Sequence, residues 1–151
     1  AFAPDLYHEP NYLPFAFRGP VVATIHDLSV VRYPETHPKA RVELFDRLLP
    51  RAVERADALL TDSSFVKGEI VSVFGVAPDK IHVVPLGVTA AFRPRGRADT
   101  AACLARYGLT HGRYLLAVGT LEPRKNHLGL LAAFGLGTLS RFVPFAFVIR
   151  S

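Results

Sequence analysis

Short apolar, often β-branched runs alternate along this chain with segments of helical period, and that alternation restricts it to an α/β architecture with a largely parallel sheet. Val21-Val22-Ala23-Thr24-Ile25, following Gly19-Pro20, predicts a buried strand that ends at His26-Asp27. A loop holding Pro34 and Pro38 comes next. Val42, Phe45, Leu49, Val53 and Ala56 then recur at helical spacing, with Glu43 and Arg47 placed as an i,i+4 pair and Pro50 expected to kink or split the helix. Ala58 to Thr61 predicts a second strand. Asp62-Ser63-Ser64 supplies N-cap candidates for a helix running to about Phe74, where Gly75 suits the C-terminal cap. Lys80 to Val84 predicts a third strand, stopped by Pro85-Leu86-Gly87.

From Thr89 to Thr100 the chain turns polar and basic, with Arg93, Arg95 and Arg97 around Pro94 and Gly96, and no apolar period is sustained. This predicts a linker between two domains. Beyond it, Asp99 can cap a short helix ending near Tyr107-Gly108, and Tyr114 to Val118 predicts a buried strand turned by Gly119-Thr120. Leu128, Leu131, Ala132 and Phe134 mark a further helix and Phe145 to Ile149 a last strand. A parallel pair alone falls short of the four to six strands typical of a sheet, roughly. There is no internal repeat and no low-complexity tract.

At 151 residues the chain has room for one compact domain or two incomplete ones, and 50% hydrophobic against 21% charged residues excludes a disordered tail. Apolar stretches such as Val143 to Ile149 fall far short of the ~20 residues of a membrane-spanning helix. Cys103, the single cysteine, excludes an internal disulfide and Cys-x-x-Cys metal spacing, and suits a reducing cytoplasm. Methionine is absent and Ala1-Phe2-Ala3-Pro4 lacks the marks of a signal peptide, so a piece of a longer chain is expected. Fourteen arginines and four lysines leave a net charge of +5, which fits an anionic partner or simply solvated helix faces.

In open α/β sheets ligands bind beyond the carboxyl ends of strands, and two such points carry chemistry. Gly119-Thr120-Leu121-Glu122-Pro123-Arg124-Lys125-Asn126 joins a strand to a helix. Its glycine permits a tight turn, Arg124 and Lys125 bring two cations, and Asn126 can cap a helix whose free N–H groups attract an anion. Spacing leaves open whether this is a phosphate site or an exposed capped turn. Neither G-x-G-x-x-G nor G-x-x-x-x-G-K-[ST] is present, which lowers hydride transfer and ATP hydrolysis. The second point is His26-Asp27, where the histidine can hydrogen-bond a substrate or relay a proton and Asp27 can tune it or orient the loop, against a purely structural pair. His8, His37, His82, His111 and His127 show no metal spacing, and His127 adds at most weak help at the phosphate site.

The order His8-Glu9-Pro10-Asn11-Tyr12, VVATIHDLS from Val21, RADALLTDSS from Arg55, KIHVVPLGV from Lys80 and YLLAVGTLEPRKNHLGLLAAF from Tyr114 resembles glycosyltransferase family 4 over nearly the whole chain. The resemblance implies the GT-B fold, two Rossmann-like domains facing across a cleft. Residues 1–88 would be the C-terminal part of the acceptor-side domain, 89–109 a linker and entry helix, and 110–151 the start of the donor-binding domain. It implies retaining transfer of a hexose, with mannose the first candidate, from a nucleotide diphosphate sugar to a polysaccharide or glycolipid acceptor. No cofactor and no metal are expected.

On the same resemblance Lys125 contacts the donor diphosphate with Arg124 beside it, Gly119 lets the backbone approach, Thr120 and Asn126 complete the diphosphate-binding set, and His26 and Asp27 are the catalytic candidates, His26 facing the donor sugar while Asp27 shapes its loop. Negative charge on the departing diphosphate would be met by these fixed donors. Thr120 stands where many members carry arginine, and Thr89 where an aspartate is common. The family's upstream glycine-rich loop and later Glu-x7-Glu motif lie outside the chain, so turnover by the isolated chain is not expected. After Phe134 the match loosens, with Gly135 and Gly137 where helix would continue. A cytoplasmic setting is implied, with peripheral contact at the inner membrane face and no nucleic acid. The alternatives are a basic module binding nucleic acid or an anionic surface through Arg93, Arg95, Arg97 and the Arg41 to Arg55 helix, and an inactive remnant.

Overall fold

Val21, Ala23 and Thr24 are all buried although successive strand residues point to opposite sides, as expected of a strand covered on both faces. In the computed structural model, which describes residues 4–137 and 144–149, this strand lies inside a four-stranded parallel sheet ordered β1-β2-β3-β4. The strands are β1 (Tyr7–Glu9), β2 (Val21–Thr24), β3 (Ala58–Thr61) and β4 (Ile81–Val83). The opening Ala1-Phe2-Ala3, and Val143 at the head of the last apolar run, lie outside the described residues. The mixed α/β architecture with parallel sheets is the one expected from the strand and helix alternation.

Contacts divide the chain into two compact units, Ala1–Gly87 and Val88–Ser151. In the first, helices α1 (Ser29–Arg32), α2 (Lys39–Arg55) and α3 (Ser64–Phe74) accompany the sheet. Ile25, Leu49, Val53, Leu59, Ile70 and Ile81 form the centre of its core, each at most 1% exposed. Polar side chains tie the layers together. Asp57 accepts the Val21 N–H at 2.7 Å where β2 begins, and the Lys67 ammonium donates to the Ile81 carbonyl at 2.7 Å. Lys80 donates to the Glu54 carbonyl at 2.7 Å, placing a cation at the carbonyl end of α2 where the helix dipole favours it.

Pro50 does not split α2, which is continuous from Lys39 to Arg55. Proline costs a helix interior about 3 kcal/mol, but burying one large apolar side chain returns about 1.5–3 kcal/mol, and α2 buries Phe45, Leu49 and Val53. Helix α3 has the expected ends: the Ser63 hydroxyl accepts the Val66 N–H, and Gly75 closes the helix at φ +66°. Strand β1 and helix α1 are additions to the sequence expectation, both too short to show a period.

The second unit contains α4 (Arg97–Ala105), β5 (Leu115–Gly119), α5 (His127–Leu136) and β6 (Phe145–Ile149). Asp99 lies inside α4 and reaches back to the Gly96 N–H at 3.2 Å, so Gly96 is the cap residue. Strands β5 and β6 pair in parallel, with Leu115 opposite Phe145. The expectation of a buried strand at 114–118 is corrected here: Leu116 and Val118 are 52% and 69% exposed. Phe145 and Phe147 meet Phe134 and His127 of α5, so helix contacts fall on one face of the pair, while Leu116, Val118 and Val148 occupy the other. Helix α5 includes Gly135 but ends at Leu136, with Gly137 as its extended C-cap residue.

Candidate functional sites at the strand ends

In the first unit the chain leaves β2 through Ile25, whose N–H donates to the Leu60 carbonyl at 2.8 Å and extends the ladder one step past the strand. That step sets His26 beside Asp62, the first residue after β3. His26 Nδ1 stands 2.8 Å from Asp62 Oδ2, and Nε2 stands 2.9 Å from the Pro10 carbonyl oxygen. The Asp62 hydrogen bond raises the histidine pKa above its ordinary value, partial burial opposes this, and the Pro10 carbonyl and the charges of Asp62 and Asp27 add to the rise.

Tyr12, held at φ 71°, packs edge-on against the His26 ring at 6.0 Å and against Phe45 at 5.3 Å. Burial, followed by the charge of Asp27, pushes its phenol up to about 12. The phenolic oxygen accepts the Asp27 N–H at 3.2 Å, while Asp27 Oδ1 accepts the Ser29 N–H at 2.8 Å and so caps the turn into α1. Asp27 therefore acts on the backbone of its own loop. A cavity of about 300 Å³ opens beside His26, lined by His8, Thr24, Thr61 and Asp62 over apolar Leu60 and Val84. His8 Nε2 is engaged with the Thr24 hydroxyl at 2.8 Å, whereas the buried Thr61 hydroxyl has no partner among the described residues.

In the second unit Pro123–Lys125 forms a single 3-10 turn between β5 and α5. Gly119 does not make the turn. It ends β5 outside the left-handed region, and a Cβ there would meet His127 Cε1 at an ordinary 3.8 Å. The reversal falls on Asn126, at φ 49°, whose Oδ1 accepts the Gly129 N–H at 3.2 Å and caps α5. His127 Nε2 donates to the Thr120 carbonyl at 2.8 Å, pinning the helix start to the strand end.

The two cations of the turn are not equivalent. Glu122 accepts from Arg124 Nε at 2.6 Å and from the Thr120 hydroxyl at 2.8 Å, and these two bonds, the hydroxyl first, hold its carboxyl below the usual range. Arg124 is thus already neutralised by a carboxylate two residues away. Lys125 is exposed and makes no ion pair among the described residues, although its charge also acts on Glu122. Glu122 escaped the sequence reading because i,i+2 neighbours do not face each other on a regular helix, whereas Glu122 has an extended backbone (φ -131°, ψ 143°) just before the 3-10 turn. Asp62 was legible only as a capping candidate, although its place one residue past β3 was a usable sign.

Among the described residues no group of three or more His, Cys, Asp or Glu side chains could hold a metal, and no helix is long and apolar enough to cross a membrane.

With this geometry in hand, residues 1–92 match the family model described as Glycosyltransferase Family 4. The chain belongs to glycosyltransferase family 4. It is 39% identical over 132 residues to O-antigen chain mannosyltransferase B of Escherichia coli, covering 87% of this chain and 34% of that protein. It is 37% identical over 110 residues to D-inositol 3-phosphate glycosyltransferase of Acidothermus cellulolyticus, covering 70% of this chain and 24% of that one. MMP alpha-(1->4)-mannosyltransferase of Mycolicibacterium hassiacum is 34% identical over 149 residues, covering 80% of this chain and 36% of that protein. The family-4 chain thus spans between a quarter and about a third of the length of these relatives.

Proposed function

We propose that this chain is part of a retaining glycosyltransferase that moves a hexose, mannose first among the candidates, from a nucleotide diphosphate sugar to a polysaccharide or glycolipid acceptor. The observation that carries the reading is an exposed Lys125, in no ion pair among the described residues, directly before the capped N-terminus of α5, at the carboxyl end of β5. The likeness to two proteins named as mannosyltransferases supports the sugar. Residues 1–88 are proposed as acceptor-side domain, 89–109 as linker and entry helix, and 110–151 as the start of the donor side.

As the glycosidic bond to the donor breaks, charge accumulates on the departing diphosphate. The Lys125 ammonium and the N–H groups at the start of α5 are positioned to offset it, with Thr120 and Asn126 shaping the turn. Gly119 lets the backbone approach the same diphosphate. Arg124 keeps its other guanidinium N–H donors for the anion while Glu122 holds Nε and offsets its charge. The Asp62 carboxylate offers hydrogen bonds to a sugar in the cavity beside His26. No cofactor or metal enters this reading, and the setting is cytoplasmic or at the inner membrane face.

The rival basic module is less well supported. Arg55 donates to the Phe17 carbonyl, Arg95 to the Ala91 carbonyl, and Arg41 lies over the Phe45 ring, so part of the proposed basic surface is committed within the protein. Calorimetric titration of the chain with GDP and UDP tests the proposal. Binding is expected, and Lys125→Ala is expected to weaken it by roughly tenfold, since one hydrogen bond to a charged group contributes about 1.5–3 kcal/mol. Unchanged affinity in that variant removes the assignment.

A further inference from the structure

The His26 ring has an acceptor at each nitrogen. Asp62 Oδ2 lies 2.8 Å from Nδ1 and the Pro10 carbonyl oxygen 2.9 Å from Nε2. A carboxylate and a peptide carbonyl can only accept, so the ring satisfies both only by donating twice, and a histidine that donates twice is an imidazolium. A neutral ring would set a lone pair against one of the two oxygens.

The surroundings agree with a cation. Asp62 faces the ring from the end of β3, the charge of Asp27 acts on it from the next residue, and the Tyr12 phenol, held protonated well above neutrality, faces it from the segment after β1. His8, from β1, lines the same cavity and is engaged by Thr24. Arg41, over the Phe45 ring, is felt at Tyr12. The partners are fixed by the fold itself. The pairing of Thr24 with Leu60, prolonged by the Ile25 N–H, sets His26 and Asp62 side by side, and the Tyr12 N–H bond to the Thr24 carbonyl at 3.0 Å draws the Pro10 segment over the ring.

We infer that Asp62 is a positioning residue for His26: with the Pro10 carbonyl it fixes the ring's orientation and holds it as a cation, denying it the lone pair that a general base requires. The inference rests on the proposed transferase reading for its purpose, since His26 is placed there beside the sugar. In that role His26 supplies a fixed positive charge, and Asp62 lines the same cavity. The proton-relay role considered for His26 from sequence is thereby replaced by an electrostatic one.

The test is a long-range ¹H–¹⁵N NMR titration of the histidine rings in the 151-residue chain between pH 5 and 9, roughly. At pH 7.5 or so, His26 is expected to show two protonated ring nitrogens. Asp62→Asn should lower its titration midpoint by about one pH unit or more, and Asp62→Glu should restore most of the shift. Dispersed backbone amide signals of the core strands serve as the check for an intact fold. A neutral single-tautomer ring in the unsubstituted protein overturns the inference, and so does a midpoint that Asp62→Asn leaves in place. Should Asp62→Asn fail to fold, the protonation pattern of the unsubstituted ring and the Asp62→Glu titration decide alone. No nucleotide is present in this experiment, so its failure is separable from a failed GDP or UDP titration.

Discussion

The two units put similar sequence material to different use. Both pair parallel strands rich in valine and leucine, yet among the described residues every buried apolar side chain except Leu104 belongs to the first. There the strand ends are anchored by a filled core, and His26, Asp62 and Tyr12 inherit fixed positions. In the second the strand before the Pro-Arg-Lys turn is exposed on one face, and the turn is organised by local bonds: Glu122 with Arg124, Asn126 with Gly129, His127 with Thr120. A site can thus be held by a core beneath it or by a knot of polar bonds around it. The first kind fails when the core is cut, the second when a single bond is exchanged.

The largest effect that could break this contrast is in the core. Leu59→Ala should cost about 2–5 kcal/mol, whereas Leu116→Ala, at 52% exposure, should cost under about 1 kcal/mol. Urea unfolding midpoints for the two variants measure this, and equal losses would erase the distinction.

Next comes the ion pair at the turn. Glu122→Gln should free Arg124 and tighten GDP or UDP binding several-fold, roughly up to tenfold, which calorimetry would detect; weaker binding would mean that Glu122 organises the turn rather than masking it. Smaller effects belong to the caps. Ser63→Ala should cost about 1 kcal/mol through α3. Gly129→Ala should dislodge the Asn126 cap, because the added Cβ would stand 2.5 Å from Asn126 Oδ1, and should cost about as much.

The smallest effect expected concerns pH. His26 titrates above its ordinary value of 6.5 in the folded protein, so its contribution to stability is complete below that value and lost as pH rises through the raised one. Because the side chain is 39% exposed, the change should be slight. Thermal midpoints should drift down across that window, and Asp62→Asn should flatten the drift.

Much of the fold was legible because it rests on periodicity and punctuation. The bounds of β3, the Ser63 cap and the Gly75 stop follow from adjacent residues, as does β6. Tertiary burial overrode a local rule at Pro50, and the exposure of β5 is invisible to a pattern that records only that its residues are apolar. At the sites, strand ends were the right places to look, but partners lay beyond the reach of local spacing. Asp62 is 36 positions from His26 and meets it only through strand pairing. The Pro10 carbonyl carries no side-chain signature at all. Glu122 lay in plain view and was missed because its pairing depends on turn geometry.

The uncovered side of the β5-β6 pair also governs how this polypeptide behaves in a tube. Leu116, Val118 and Val148 form an oily strip that water wets poorly, so concentrated solutions should bind hydrophobic dyes and turn cloudy in ammonium sulfate, where exclusion of salt from the surface rewards molecules that hide such strips against one another.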